Sequence, residues 1–147
     1  MKGKKKYAII ISIAAVIVLM TTVLAMAGSD EKIVRDLIDE RTVTLNNYYD
    51  GDMKKEAARE KIKKLETGNL MEQDLENIDL YFQTDIDRIN EFEITSVKIT
   101  HEDEDMICAD VYTKWDVDTV TGSDSFICDY SVICVKEGNG YKLAQFF

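Results

Sequence analysis

The 147-residue chain has no proline, one histidine, one tryptophan, three cysteines and seven glycines that occur singly. Glycines so scattered form no Gly-rich phosphate loop, which leaves nucleotide chemistry without a sequence basis. The single histidine falls in His101-Glu102-Asp103-Glu104-Asp105, which reads as a solvated turn; its four carboxylates attract Ca²⁺ weakly at most. Asp116-Val117-Asp118 also departs from a calcium loop, since Val120 takes the fifth position, Gly122 comes one residue late and Ile127 takes the twelfth. Neither metal nor cofactor is expected. An odd number of cysteines leaves at least one free or bonded to another chain. A net charge of −10 argues against nucleic-acid binding, and a hydrophobic share of 46% excludes a disordered acidic tail.

Acidic residues are also missing from the first 27 positions, where Lys2, Lys4, Lys5 and Lys6 are the only charged side chains. Residues 28–147 therefore hold all 28 acids against 14 basic groups, a net charge of −14. From Tyr7 to Ala27 no residue is charged, and ten are Ile, Val or Leu. Ten such residues favour membrane insertion by about 3 to 6 kcal/mol. At 1.5 Å per residue, about 20 residues cross a ~30 Å hydrocarbon core. The expected layout is a cytoplasmic basic segment (1–6), a transmembrane signal anchor (7–28) and an extracytoplasmic domain (29–147), because the lysine cluster holds its own end in the cytoplasm. Ala25-Met26-Ala27 has the form of a signal peptidase site, so cleavage after Ala27 is the alternative. The apolar run exceeds the about 7 to 15 residues of a cleaved signal, which favours the anchor. No cysteine directly follows the run, the first being Cys108, so a lipoprotein-type lipid attachment has no acceptor.

Past Gly28, apolar residues first recur at helical and then at strand spacing. Ile33, Val34, Leu37, Ile38, Arg41, Leu45, Tyr48 and Tyr49 form one stripe of a helix capped by Ser29 or Asp30 and broken at Gly51. A second helix, capped by Asp52, buries Met53, Ala57, Ala58, Ile62 and Leu65 and ends at Thr67-Gly68. Six cationic residues surround that stripe, which suits either an ordinary solvated helix or a face turned to anionic headgroups. Met71, Leu75, Ile78, Phe82, Ile86 and Ile89 continue helical spacing, with a break near Thr84. Four strands follow, at Phe92 to Thr100, Met106 to Val117, Ser125 to Lys136 and Tyr141 to Phe147. Their short connections imply an antiparallel meander.

The predicted class is α+β: after an N-terminal transmembrane helix, about three helices pack on a curved four-stranded antiparallel meander sheet. The helical opening with Tyr48-Tyr49, the strand Cys108-Ala109-Asp110-Val111-Tyr112-Thr113-Lys114-Trp115 and the ending Glu137-Gly138-Asn139-Gly140-Tyr141-Lys142-Leu143 resemble the NTF2-like superfamily, cystatin-like in its broader sense. The resemblance implies a cone-shaped fold whose sheet wraps the long first helix. It leaves function open among ligand binders, enzymes, scaffolds and subunits of secretion or conjugation machinery. The expected role is a membrane-anchored interaction or ligand-binding module without an evident catalytic motif. An enzyme of this class would use a pocket between sheet and first helix, with Tyr48, Asp110, Tyr112, Asp129 and Tyr130 as candidates to polarise a carbonyl and move a proton.

A three-residue loop Val120-Thr121-Gly122 would pair Thr119 with Ser123. Cys108 then lies opposite Cys134, at a Cβ spacing of about 4.5 to 5.5 Å against a disulfide's ~3.8 Å, so a bond between them needs local adjustment and free buried cysteines are the alternative; Tyr112 lies opposite Tyr130. In that register one face carries Ile107, Ala109, Val111, Trp115, Ile127, Ile133 and Val135. The other carries Met106, Cys108, Tyr112, Phe126, Cys128, Tyr130, Val132 and Cys134. Both are apolar, so a homodimer or protein partner is expected to cover the face bearing Tyr112 and Tyr130.

Overall fold

The computed structural model describes residues 28–81, 88–119 and 121–147. Residues 31–147 form one compact unit. The predicted anchor, apart from Gly28, lies outside the described residues, and no described helix is long and apolar enough to cross a membrane.

Three helices precede four strands. Helix α1 covers residues 28–49, α2 Lys55–Leu65 and α3 Gly68–Leu80. The strands are β1 (Arg88–Glu102), β2 (Met106–Thr119), β3 (Gly122–Glu137) and β4 (Gly140–Phe146), joined in the order β1-β2-β3-β4 as an antiparallel meander. The α+β expectation therefore holds. Ile89 departs from it: it belongs to β1, where it faces Val117, and does not continue the third helix. Phe82, Thr84 and Ile86 lie outside the described residues.

Helix α1 is amphipathic as its spacing predicts, and its stripe serves two cores. Val34 and Ile38 pack on the sheet against Ile107, Ala109, Val111, Val132, Cys134 and Leu143. About three turns further on, Tyr48 packs with Ala58, Ile62 and Ile78 of α2 and α3. Each fully buried aliphatic side chain contributes about 1.5 to 3 kcal/mol. Gly51, with φ 84°, ends the helix in the left-handed region as expected. Two details of the second helix differ: its N-cap is Lys54 with no side-chain cap bond, and Ala57 is exposed. Gly68 does take positive φ, 61°, yet it opens α3 after Glu66 has capped α2.

The β2–β3 register corrects the predicted one by a single residue. Thr119 faces Gly122, so only two residues separate the paired positions. Val120, part of the predicted loop, lies outside the described residues. A one-residue slip moves every side chain of a strand to the other face. Cys108 accordingly faces Ile133, Cys134 faces Ile107, and Tyr112 faces Asp129. Cys108 and Cys134 stand on opposite faces and all three cysteines are free, so of the two alternatives the free thiols hold and Cys108 is not bonded to Cys134. Ile107, Ala109, Val111, Thr113 and Trp115 share the helix-side face with Phe126, Cys128, Tyr130, Val132 and Cys134. The outer face carries Met106, Cys108, Ile133 and Val135 at one end and Asp110, Tyr112, Lys114, Ile127, Asp129 and Ser131 further along. Polar residues interrupt it, so the outer face is mixed where the predicted register made it largely apolar.

Candidate functional site

The corrected register separates the residues predicted to share a pocket. Tyr130 points to the helix side, whereas Asp110, Tyr112 and Asp129 belong to the outer face. Tyr48 is buried in the helical core, where its hydroxyl donates to the Ile78 carbonyl at 2.6 Å. Of the proposed set, only Asp110, Tyr112 and Asp129 are neighbours, and Tyr112 is 44% exposed. No Tyr/Asp pocket is assembled from these residues.

Tyr130 instead belongs to an aromatic row that the register creates across the sheet. Phe92, Trp115 and Phe126 stand directly opposite one another on β1, β2 and β3. The Phe92 and Trp115 ring centroids are 4.3 Å apart. Tyr130 meets Trp115 edge-on at 6.5 Å and stacks on Phe146 of β4 at 4.3 Å with 19° between planes. Such contacts contribute about 0.5 to 1.5 kcal/mol each beyond area burial. Trp115 is held by its indole N–H, which donates to Thr113 Oγ1 at 2.8 Å. At the β3 end of the row Phe126 remains 44% exposed.

At the Phe146 end the row meets charge. The Arg41 guanidinium carbon lies 5.1 Å from the Phe146 ring centre. Arg41 Nε donates to Glu66 Oε1 at 2.7 Å, and Nη2 lies 2.6 Å from Asp74 Oδ2. Both carboxylates are buried, so this ion triad sits between the sheet core and the helical core. Burial, with the Asp74 charge second, pushes the Glu66 carboxyl up to about 8. Burial likewise pushes the Tyr49 and Tyr130 hydroxyls up to about 12, with Asp74 next for Tyr49 and Cys128 next for Tyr130. Both phenols are neutral hydrogen-bonding groups over the physiological range.

Glu66 and Asp74 were missed by sequence reasoning, although a signal was available. Glu66 follows Ala58 and Ile62 on the buried side of α2, and Asp74 falls midway between Leu70 and Ile78 on α3. Each is an acid in an apolar stripe, and Arg41 already stood in the stripe of α1. Three charges of mixed sign on three apolar stripes are the mark of a buried ion cluster.

The remaining polar features have local explanations. Asp103 Oδ1 accepts from the backbone N–H groups of Asp105 and Met106 at 2.9 and 2.8 Å, closing the β1–β2 turn. These bonds, with His101 beside the carboxyl, hold Asp103 below its ordinary pKa. Among the described residues no group of three metal-binding side chains occurs. On α2, Lys55 and Arg59 are engaged by Asp79 of α3, at 2.7 and 2.8 Å.

No protein-family model, curated protein or solved structure matches the chain.

Proposed function

We propose that this chain is a single-pass membrane protein whose residues 29–147 form an NTF2-like domain outside the cytoplasm, acting as a ligand-binding module. The lysine cluster and the uncharged span after it support the anchor and its orientation. The observation that carries the binding reading is the aromatic row on the helix-side face, open at Phe126 and closed at the other end by Arg41, Tyr130 and Phe146. A largely apolar lining with a few placed polar groups is how small-molecule sites are built. The ligand class that fits is a flat or aliphatic molecule, since the exposed Phe126 ring and the neighbouring Trp115 ring offer apolar stacking surface at the open end.

Trp115, the only tryptophan, reports on this face directly. Titration of the full chain in detergent with anilinonaphthalene sulfonate, an apolar fluorescent probe, should give saturable energy transfer from Trp115, weakened at least fivefold in affinity by Phe126→Ala. Unsaturable transfer, or equal affinity in the variant, would remove the binding reading. A protease added outside intact cells should degrade the domain beyond Gly28, and protection of that domain would overturn the topology.

A second reading, docking of a protein partner or a second copy on the outer face, is favoured by Tyr112 and Ile127, which are 44% and 75% exposed there. It predicts that Ile127→Glu dissociates an oligomer seen by sedimentation.

A further inference from the structure

The charge balance where the three helices meet β4 leaves one group unaccounted for. Glu66 is fully buried and Asp74 is 4% exposed. The charged and titratable groups that face them are Arg41 and Tyr49 from α1, while β4 presents Leu143 to the Glu66 backbone. Among the described residues one cation therefore serves two carboxyl groups. Arg41 occupies Glu66 Oε1, yet Glu66 Oε2 has no donor among those residues, and Asp74 Oδ2 has ion-pair contact with Nη2 without an aligned hydrogen bond. The Asp74 carboxyl is itself within hydrogen-bonding reach of Glu66. Two carboxylates so placed present acceptor to acceptor, and a second ionisation would put an uncompensated charge in the interior.

We infer that Glu66 and Asp74 share one proton, with Glu66 Oε2 donating to Asp74, and that this proton latches the α2–α3 corner to α1 and β4. The site is then electrically neutral: Arg41 is balanced by one negative charge spread over the pair. The corner is the element the proton controls, because its attachments converge there. The Glu66 backbone bridges to Leu143, the Thr67 N–H donates to the Leu143 carbonyl at 2.9 Å, and Lys142 Nζ donates to the Lys63 carbonyl at 3.0 Å. Removing the proton leaves a bare carboxylate that must either draw in water or move. Movement of Glu66 carries Thr67 and its strand contact with it. The latch is closed at neutral pH and opens in mildly alkaline solution, since burial and the neighbouring Asp74 hold the Glu66 proton to about 8.

Glutamate carboxyl ¹³C shifts of the full chain in detergent micelles, followed with pH, test the shared proton without any substitution. One glutamate should titrate above about pH 6.5, far from the ordinary range near 4.3; if every glutamate titrates below 6.5, the proton is not there. The latch is tested by hydrogen exchange at the Thr67 amide, corrected for the intrinsic rate. Protection should fall at least tenfold relative to Val111 between about pH 6 and about pH 9, tracking the Glu66 midpoint. A Thr67 protection that stays parallel to Val111 over that range overturns the latch. In Glu66→Gln, whose amide can bond both Arg41 and Asp74 permanently, the fall should disappear; its persistence there assigns the opening to another group and also overturns the latch.

Discussion

Strands β2 and β3 pair without interruption from Thr119 and Gly122 at one end to Met106 and Val135 at the other, but the two halves of this ribbon have different surroundings. In the proximal half, Ile107, Ala109, Val111 and Thr113 alternate as buried residues facing Cys134, Val132, Tyr130 and Cys128, with Val34 and Ile38 of α1 packed on that core. In the distal half, Phe126 and Ile127 are adjacent residues on opposite faces and both are exposed. Backbone pairing and period-two alternation are the same in both halves. The neighbouring strands make the difference: β4 flanks β3 only from Val132 to Glu137, so Phe126 and Ile127 lie on a strand edge, while Val117 of β2, paired with Ile89 of β1, stays buried. The aromatic row reaches that edge at Phe126, so a residue able to contact a ligand occurs there.

The sharpest break in the comparison is expected from Arg41→Ala, which removes the only cation that, among the described residues, is paired to the buried Glu66 and Asp74. Loss of one partner from a buried ion cluster costs about 3 to 5 kcal/mol, to be read as a drop in urea midpoint. Next, Ile107→Ala in the proximal half should cost roughly 3 kcal/mol through cavity formation.

Glu66→Gln separates charge from packing. A carboxyl whose folded pKa is raised contributes stability that is full below its unfolded value of 4.5 and is lost as pH rises to about 8. At about pH 9 the variant should therefore be more stable than the parent by about 2 kcal/mol. This is less than the full shift converts to, because the corner can yield and admit water. At about pH 4 the two should melt alike, so equal midpoints at both pH values would remove the charge argument. At the β3–β4 turn Gly138 has φ 62° and a Cβ there would meet nothing. Gly138→Ala should thus cost only its backbone strain, roughly 1 kcal/mol in denaturant unfolding. Smallest of all, Ile127→Ser in the distal half should change stability by under about 0.5 kcal/mol. A loss there as large as that for Ile107→Ala would mean that the distal half has a cover.

The helical stripe of α1 was legible residue by residue, because a 3.6-residue period leaves few other ways to align Val34, Ile38 and Tyr48 on one side. Four strands and their order were legible for a similar reason, since the turns at His101 to Asp105 and Glu137 to Gly140 are too short for a crossover. The β2–β3 register was less accessible. Val120-Thr121-Gly122 suits a loop of two or of three residues, and the choice reverses the facing of every β3 side chain. That single residue moved Tyr130 away from Tyr112, parted Cys108 from Cys134, and brought Phe126 beside Trp115.

What the sequence by itself determined is the division into a basic start, an uncharged span and an acidic α+β chain, because charge and periodicity act locally along the chain. Only the tertiary structure decided which side chains meet. The approach of Arg41, Glu66 and Asp74 joins residues up to 33 positions apart on three helices. No local propensity encodes such an encounter; it follows from how α2 and α3 dock on α1 once their apolar stripes are buried, and the charges in those stripes must then find each other in a medium where an unpaired one is costly.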